Sequence, residues 1–232
     1  MDGEDDEVVM LIATMKARRG GPGVRAQAAR LLGASGDPRA IEPLLDQIED
    51  TADPFKTPVV TAVLDALPAF GLALAAPLHR LLDGPDDPRR KYVPRLLLSA
   101  TGADAAPTLS ALLDDRDEDV VMNAATALGA LHDPAYAPAL LQVLDDEARP
   151  ALMRGVAASA LGMTGASNAY NVLAPLLGSS VQSLVAGAID GLAELGDPRA
   201  IGVIQALLAA DRLDERTRRG ARLALISLRA PH

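Results

Sequence analysis

Apolar residues recur at steps of three and four through most of this chain, the spacing of one face of an α-helix. The windows "VRAQAARLLGA" (24–34), "VVTAVLDALPAF" (59–70), "RKYVPRLLLSAT" (90–101), "VVMNAATALGAL" (120–131), "MRGVAASALGMT" (153–164) and "LVAGAIDGLAEL" (184–195) each predict a helix. Each is followed by a second helical window: "PRAIEPLLDQIE", "LAAPLHRLLD", "AAPTLSALLDD", "PAYAPALLQVLDD", "AYNVLAPLLG" and "PRAIGVIQALLAA". No window alternates strictly between apolar and polar, as a half-buried strand would. The pattern predicts an all-α chain built of helix pairs.

Turn signals separate the two helices of each pair. They fall at Gly36, Gly71, Gly102, His132, Gly165 and Gly196, at intervals of 35, 31, 30, 33 and 31 residues. A period near 30 with one turn per unit marks a solenoid of stacked helical hairpins. Two of the signals are the same six residues, Gly36–Ile41 and Gly196–Ile201. The chemistry of Gly-Asp-Pro accounts for the repetition. Glycine ends one helix in a left-handed conformation, Asp caps the next by accepting backbone N–H groups, and Pro enters the first helical position with its φ preset. His132 stands where the other signals have Gly, which predicts a turn role for it.

The stretches "VRAQAARLLGASGDPRAIEPLL", "DVVMNAATALGALHDPAYAPALL" and "LVAGAIDGLAELGDPRAIGVIQALL" share an Ala-rich first helix. In the first two it ends in Leu-Gly, and each stretch closes on a Leu-Leu second helix. In this the chain resembles the short HEAT-like repeats of the phycobilin-lyase type. The resemblance covers residues 24–210. It implies a right-handed α-α superhelix, an α-solenoid of about six HEAT-like hairpins in one domain over residues 1–232, and is nearly silent about activity. The second and third units depart from the pattern. Pro68 lies near the end of one first helix and Pro94 inside the next, where a helix starting late, at about Tyr92, or a kink is expected.

An extra helix is expected at each end, because a solenoid must cover the apolar faces of its terminal repeats. Residues 1–19 hold Val8, Val9, Leu11, Ile12 and Met15 near helical spacing, with acids before bases as the helix dipole favours. They predict an N-terminal cap packed on residues 24–50. Residues 214–229 resemble one further first helix and predict the C-terminal cap.

Composition agrees with thin helical packing. Hydrophobic residues make up 49% of the chain, yet there are only two Phe, three Tyr and no Trp. Such a chain packs helices closely, with Ala letting backbones approach and Leu filling grooves. Residues 59–78 come closest to a membrane span, but Asp65, Pro68 and Pro77 interrupt them. With an acidic start in place of a basic export signal, a cytoplasmic protein without membrane insertion is expected. A net charge of −9 opposes nucleic-acid binding. The exceptions are basic clusters at 89–95 and 216–222, which leave phosphate contacts as a minor alternative.

Candidate chemistry is sparse. There is no Cys, and the three His, at 79, 132 and 232, are not at metal-ligand spacing. No phosphate loop, nucleophile elbow or His-Glu-x-x-His occurs. Acid pairs such as Asp114-Asp115 and Asp145-Asp146 point in different directions as sequence neighbours. The sequence therefore predicts no catalytic residue, metal site or cofactor site, and a non-enzymatic role.

A binding surface is expected where second helices lie side by side. Aligned on their Leu-Leu pairs, they give two outward rows: Glu42, Ala76, Ala106, Pro138, Asn171, Gly202, and Asp46, Arg80, Ser110, Gln142, Pro175, Ala206. Small side chains there admit a partner's backbone. Glu42, Asp46, Arg80, Ser110, Gln142 and Asn171 are the polar candidates for protein contact. The expected function is a protein-binding scaffold or regulatory adaptor for another protein. The resemblance adds a second reading, a chaperone-like or lyase-type subunit acting on a tetrapyrrole-bearing protein.

Overall fold

The computed structural model describes residues 2–17, 21–48, 57–210 and 212–230. Its regular elements are all helical. First helices are α2 (Gly21–Ser35), α4 (Pro58–Ala66), α6 (Val93–Thr101), α8 (Glu118–Gly129), α10 (Ala151–Met163) and α12 (Gln182–Leu195). Second helices are α3 (Ile41–Leu45), α5 (Ala75–Asp83), α7 (Ala106–Ala111), α9 (Ala137–Asp145), α11 (Ala169–Leu176) and α13 (Arg199–Ala209). α1 (Asp2–Lys16) precedes them and α14 (Glu215–Arg229) follows, so the described residues hold six hairpins and a helix beyond each end, an α-solenoid.

The turns behave as their chemistry dictates. Gly36, Gly71, Gly102, Gly165 and Gly196 all have φ between 51° and 70°, and His132 has φ 52°, the one positive φ outside glycine among the described residues. Asp37, Asp133 and Asp197 each accept a hydrogen bond from the backbone N–H two residues on, at 2.8–2.9 Å. In the two Gly-Asp-Pro-Arg turns the arginine also folds back onto the same carboxylate. The His132 ring donates from Nδ1 to the Met163 carbonyl at 2.9 Å, joining its turn to the end of α10.

The chain forms two compact units, residues 1–105 and 106–232. In the first, α1 packs on α2, and α2 on α4. Val8 and Met15 are buried, and the Met15 carbonyl accepts from Arg25 Nε at 2.8 Å, so α2 closes the end of α1. Arg154 Nε repeats this at the start of α10, donating to the Leu144 carbonyl at 2.7 Å. An arginine early in a first helix thus satisfies an orphan carbonyl of the preceding helix. α4 stops at Ala66 because Pro68 has no N–H to continue the ladder, and residues 67–74 tighten into 3-10 turns broken at Gly71. α6 does start late, at Val93, with Pro94 in its first turn, where the missing donor costs nothing.

In the second unit first helices succeed one another directly: α8 on α10, α10 on α12, α12 on α14. Glycine permits the approach. A Cβ placed on Gly129 would stand 2.8 Å from the Ala160 carbonyl, and one on Gly191 2.5 Å from the Ala158 carbonyl. Cβ atoms on Gly162 and Gly187 would collide with the carbonyls of Gly191 and Gly155. α10 and α12 therefore cross backbone to backbone.

By length and apolar character alone, the runs Pro58–Asp83 and Pro88–Asp114 reach the size of a membrane span. Neither is one continuous helix. Gly71 (φ 51°, ψ −134°) and Gly102 (φ 58°, ψ −131°) break them, leaving helices of nine residues or fewer. Nine residues rise about 14 Å, half the hydrocarbon thickness.

Candidate functional site

Two surfaces compete for the role of binding site, one on second helices and one on first helices. On the second helices, Glu42, Asp46, Arg80, Gln142 and Asn171 are exposed and Ser110 is half-buried. Ala106, aligned with this outer row, is instead buried at 4% exposure, and the exposed position two residues before the buried leucine is Pro107, so the row is displaced by one residue in this unit. Within the first unit the polar candidates engage each other and their neighbours. Arg80 pairs with Glu42, and Asp46 lies 3.5 Å from Arg89 and 3.8 Å from Lys16. In the second unit Gln142 and Asn171 project from α9 and α11 beside Pro138 and Pro175, which are also exposed.

The first helices of the second unit enclose a groove of about 490 Å³. Its position follows from the glycines. Because Gly155 and Gly187 bring α10 and α12 together, the outer side of α12 is low, floored by Ser183, Ala186 and Gly187. Leu152, Val156 and Met163 of α10 form one wall, and Arg216, Thr217 and Gly220 of α14 the other. Leu152 is 60% exposed. Gln182 fastens the entry to α14: its Nε2 donates to the Arg212 carbonyl and its Oε1 accepts from the Asp214 N–H, both at 3.3 Å.

Both acids in this groove are perturbed. Partial burial raises the Asp190 carboxyl above its ordinary value, Glu194 one turn on raises it further, and Arg216 across the groove opposes both. Asp214 moves the other way, held down by the backbone N–H of Thr217, which its carboxylate caps at 2.7 Å. The groove thus offers an apolar wall, two carboxylates and one guanidinium, a set suited to holding an amphipathic surface.

Other candidate chemistry is tied into the fold. Arg89 is clasped by Asp87 at 2.7 Å and reaches the Leu45 carbonyl at 3.4 Å, while Arg90 is 5% exposed and donates to the Pro85 carbonyl. The first two arginines of the 89–95 cluster therefore serve structure. Arg218 of the second cluster binds Glu215 and the Leu213 carbonyl. His79 donates from Nδ1 to the Ala75 carbonyl at 2.8 Å, and His232 lies outside the described residues. Among the described residues no three His, Cys, Asp or Glu side chains are grouped to hold a metal ion.

Sequence reasoning placed the binding surface on second helices and missed the groove. The signal was present in Gly155, Gly162, Gly187 and Gly191, small residues inside helices where a solvated face would not require them.

Among solved structures, the chain is similar to the complex of CpcE and CpcF of phycocyanin lyase from Nostoc sp. PCC7120, at 20% identity over 95% of this chain and 94% of that one, TM-score 0.49. It is also similar to human deoxyhypusine hydroxylase in complex with glycerol, at 21% identity over 95% and 84%, TM-score 0.44. A third similar structure is an engineered protein, at 19% identity over 96% of both chains, TM-score 0.40. No curated protein matches the sequence. Residues 24–50 match the PBS lyase HEAT-like repeat. Residues 74–161 and 138–226 match HEAT repeats, and by that match the chain belongs to the HEAT-repeat family.

Proposed function

We propose that this HEAT-repeat protein is a non-catalytic scaffold that binds another protein. The observation that carries the reading is the groove over α10, α12 and α14, whose wall of Leu152, Val156 and Met163 is open and whose charged groups are Asp190, Asp214 and Arg216. The second-helix ridge of the same unit, with Ser110, Gln142 and Asn171, is the competing surface; Glu42, Asp46 and Arg80 belong to the other unit and are a separate candidate. Affinity capture with wild-type chain and two double variants separates them. Leu152→Glu with Ser159→Glu charges the groove; Ser110→Glu with Gln142→Glu charges the ridge. Loss of a captured protein in the first variant alone supports the groove. Loss in the second alone moves the site to the ridge. A chain that retains nothing above an unrelated helical-repeat control overturns the scaffold reading.

A second reading draws on the PBS lyase HEAT-like match at residues 24–50. In it the bound protein carries a tetrapyrrole and the chain acts as a chaperone-like or lyase-type subunit. A change in bilin absorbance on mixing with purified chain supports it, and an unchanged spectrum removes it.

A further inference from the structure

α14 repeats the first-helix pattern, and the repeat shows which of its sides is left exposed among the described residues. Aligned on the buried leucines Leu128 and Leu225, the buried residues Thr217, Ala221 and Ala224 of α14 fall on Val120, Ala124 and Ala127 of α8, all buried. The match ends there. Val121, Ala125 and Gly129 of α8 are buried too, and Gly129 abuts Ala160 of the next first helix. Their counterparts in α14 are Arg218, half-buried, and Arg222 and Ile226, both exposed. Ile226 is 67% exposed and Leu223, on the same side, 57%. Arg219 is exposed one turn before Leu223. This side of α14 is therefore both apolar and basic.

α1 presents the complementary chemistry. Val8 and Met15 face α2, while Val9 and Met10 are 59% and 62% exposed. Glu7, exposed, stands one turn before Met10 and follows the acidic stretch of the sequence at 2–6. One exposed helix pairs apolar residues with arginines, the other pairs them with a carboxylate.

We infer that α1 of one copy of this chain docks on α14 of another, so that copies associate head to tail. Such a contact is heterologous: two different surfaces meet, and each copy keeps one of each for a further copy. The apolar side chains exclude water, and the opposite charges set the pairing and its salt sensitivity.

Sedimentation of the full chain over a concentration series tests this. The mean mass rises above the monomer with concentration and falls back when salt is raised from about 0.05 M to about 0.5 M. Two variants, Val9→Ser with Met10→Ser and Leu223→Ser with Ile226→Ser, each stay monomeric alone. Mixed in equal amounts they form a dimer and nothing larger, because only one intact α1 and one intact α14 are left to meet. Circular dichroism checks that both variants keep their helix content; if the second does not, Leu223→Ser alone probes the same side. A wild-type chain that is monomeric at every concentration overturns the inference. So does a mixture that stays monomeric. Association that survives in the α1 variant and fails in the α14 variant also overturns it, since α14 then pairs with its own copy.

Discussion

Residues 1–105 and 106–232 are built from the same repeat, yet they differ in how often helices meet through glycine. In the first unit the register is interrupted. α4 and α6 have nine residues each, and 3-10 turns occupy 67–74 and 88–92. Polar clasps bridge the irregular joints: Arg25 to the Met15 carbonyl and Gln47, Arg89 to Asp87, Asp46 and the Leu45 carbonyl. In the second unit α8, α10, α12 and α14 lengthen to 12–15 residues, and α10 and α12 meet through glycine. The regular repeat makes the glycine contact from helix to helix, whereas the first unit makes it at Gly33 against Ala66; arginine clasps such as Arg25 and Arg149 serve both.

The largest test of this contrast is Gly187→Ala. The new methyl has only the Gly155 carbonyl to meet, and backbone cannot swing aside as a side chain does. Overpacking of this kind costs about 3 kcal/mol. Gly202→Ala is the control, since nothing lies within 4 Å of the added atom on α13; relief of backbone entropy there stabilises by about 0.5–1 kcal/mol. Urea denaturation measures both, and hydrogen exchange localises the loss to residues 106–232. A Gly187→Ala chain as stable as wild type would mean that glycine contact does not hold this unit.

These residues also show what was legible in the sequence. The six turn marks at 36, 71, 102, 132, 165 and 196 are all positive-φ positions, because a tight interhelical turn leaves few residue types a choice. Even His132 is readable by position. The family motif explains Gly36 and Gly196 fully. It does not explain Gly71 and Gly102, whose ψ near −130° makes a different turn without Asp-Pro. The site was harder to read, for a physical reason. A period of 3.6 tells which face of a helix is apolar but not how far apart two helices stand. The groove depends on that distance, set by Gly155 and Gly187 together across 32 residues of sequence. Ala106 fails for a simpler reason: the alignment is one residue out in that unit, where Pro107 holds the exposed position.

A middle-sized effect belongs to the first unit. Asp87 caps the Arg89 N–H at 2.9 Å and holds the Arg89 side chain that reaches the Leu45 carbonyl. Replacing it by Ala removes the cap and loosens the clasp, a loss of about 1 kcal/mol. The hydrogen bond from Arg89 holds the Asp87 carboxyl below its ordinary value of 3.8. A lowered pKa means that the folded state favours the charged form. The stabilisation is complete above the unfolded value and fades as pH falls below it. The difference between wild type and Asp87→Ala in melting temperature therefore narrows in acid. A gap that stays constant from neutral pH to about pH 3 would show that charge plays no part in the clasp.

Asp190 in the second unit supplies the opposite sign and the smallest effect. Its carboxyl is raised, first by partial burial in the groove and then by Glu194, with Arg216 pulling it back. A raised pKa means that the folded state holds the proton more tightly than the unfolded chain. Ionised Asp190 therefore costs stability at neutral pH, and the cost disappears as pH falls through the folded-state pKa, above 3.8. Asp190→Asn keeps the shape and removes the charge. It raises the melting point slightly at neutral pH, by less than about 0.5 kcal/mol in stability because the side chain is exposed to solvent on one side. The gain shrinks toward zero in acid, where wild-type Asp190 is itself neutral. Asp87→Asn run in parallel loses stability at neutral pH and approaches wild type in acid, so the two pH profiles bend in opposite directions. If Asp190→Asn is instead destabilising at neutral pH, Arg216 outweighs burial, and the carboxylate is half of an ion pair that closes the groove rather than a charge left waiting for a partner.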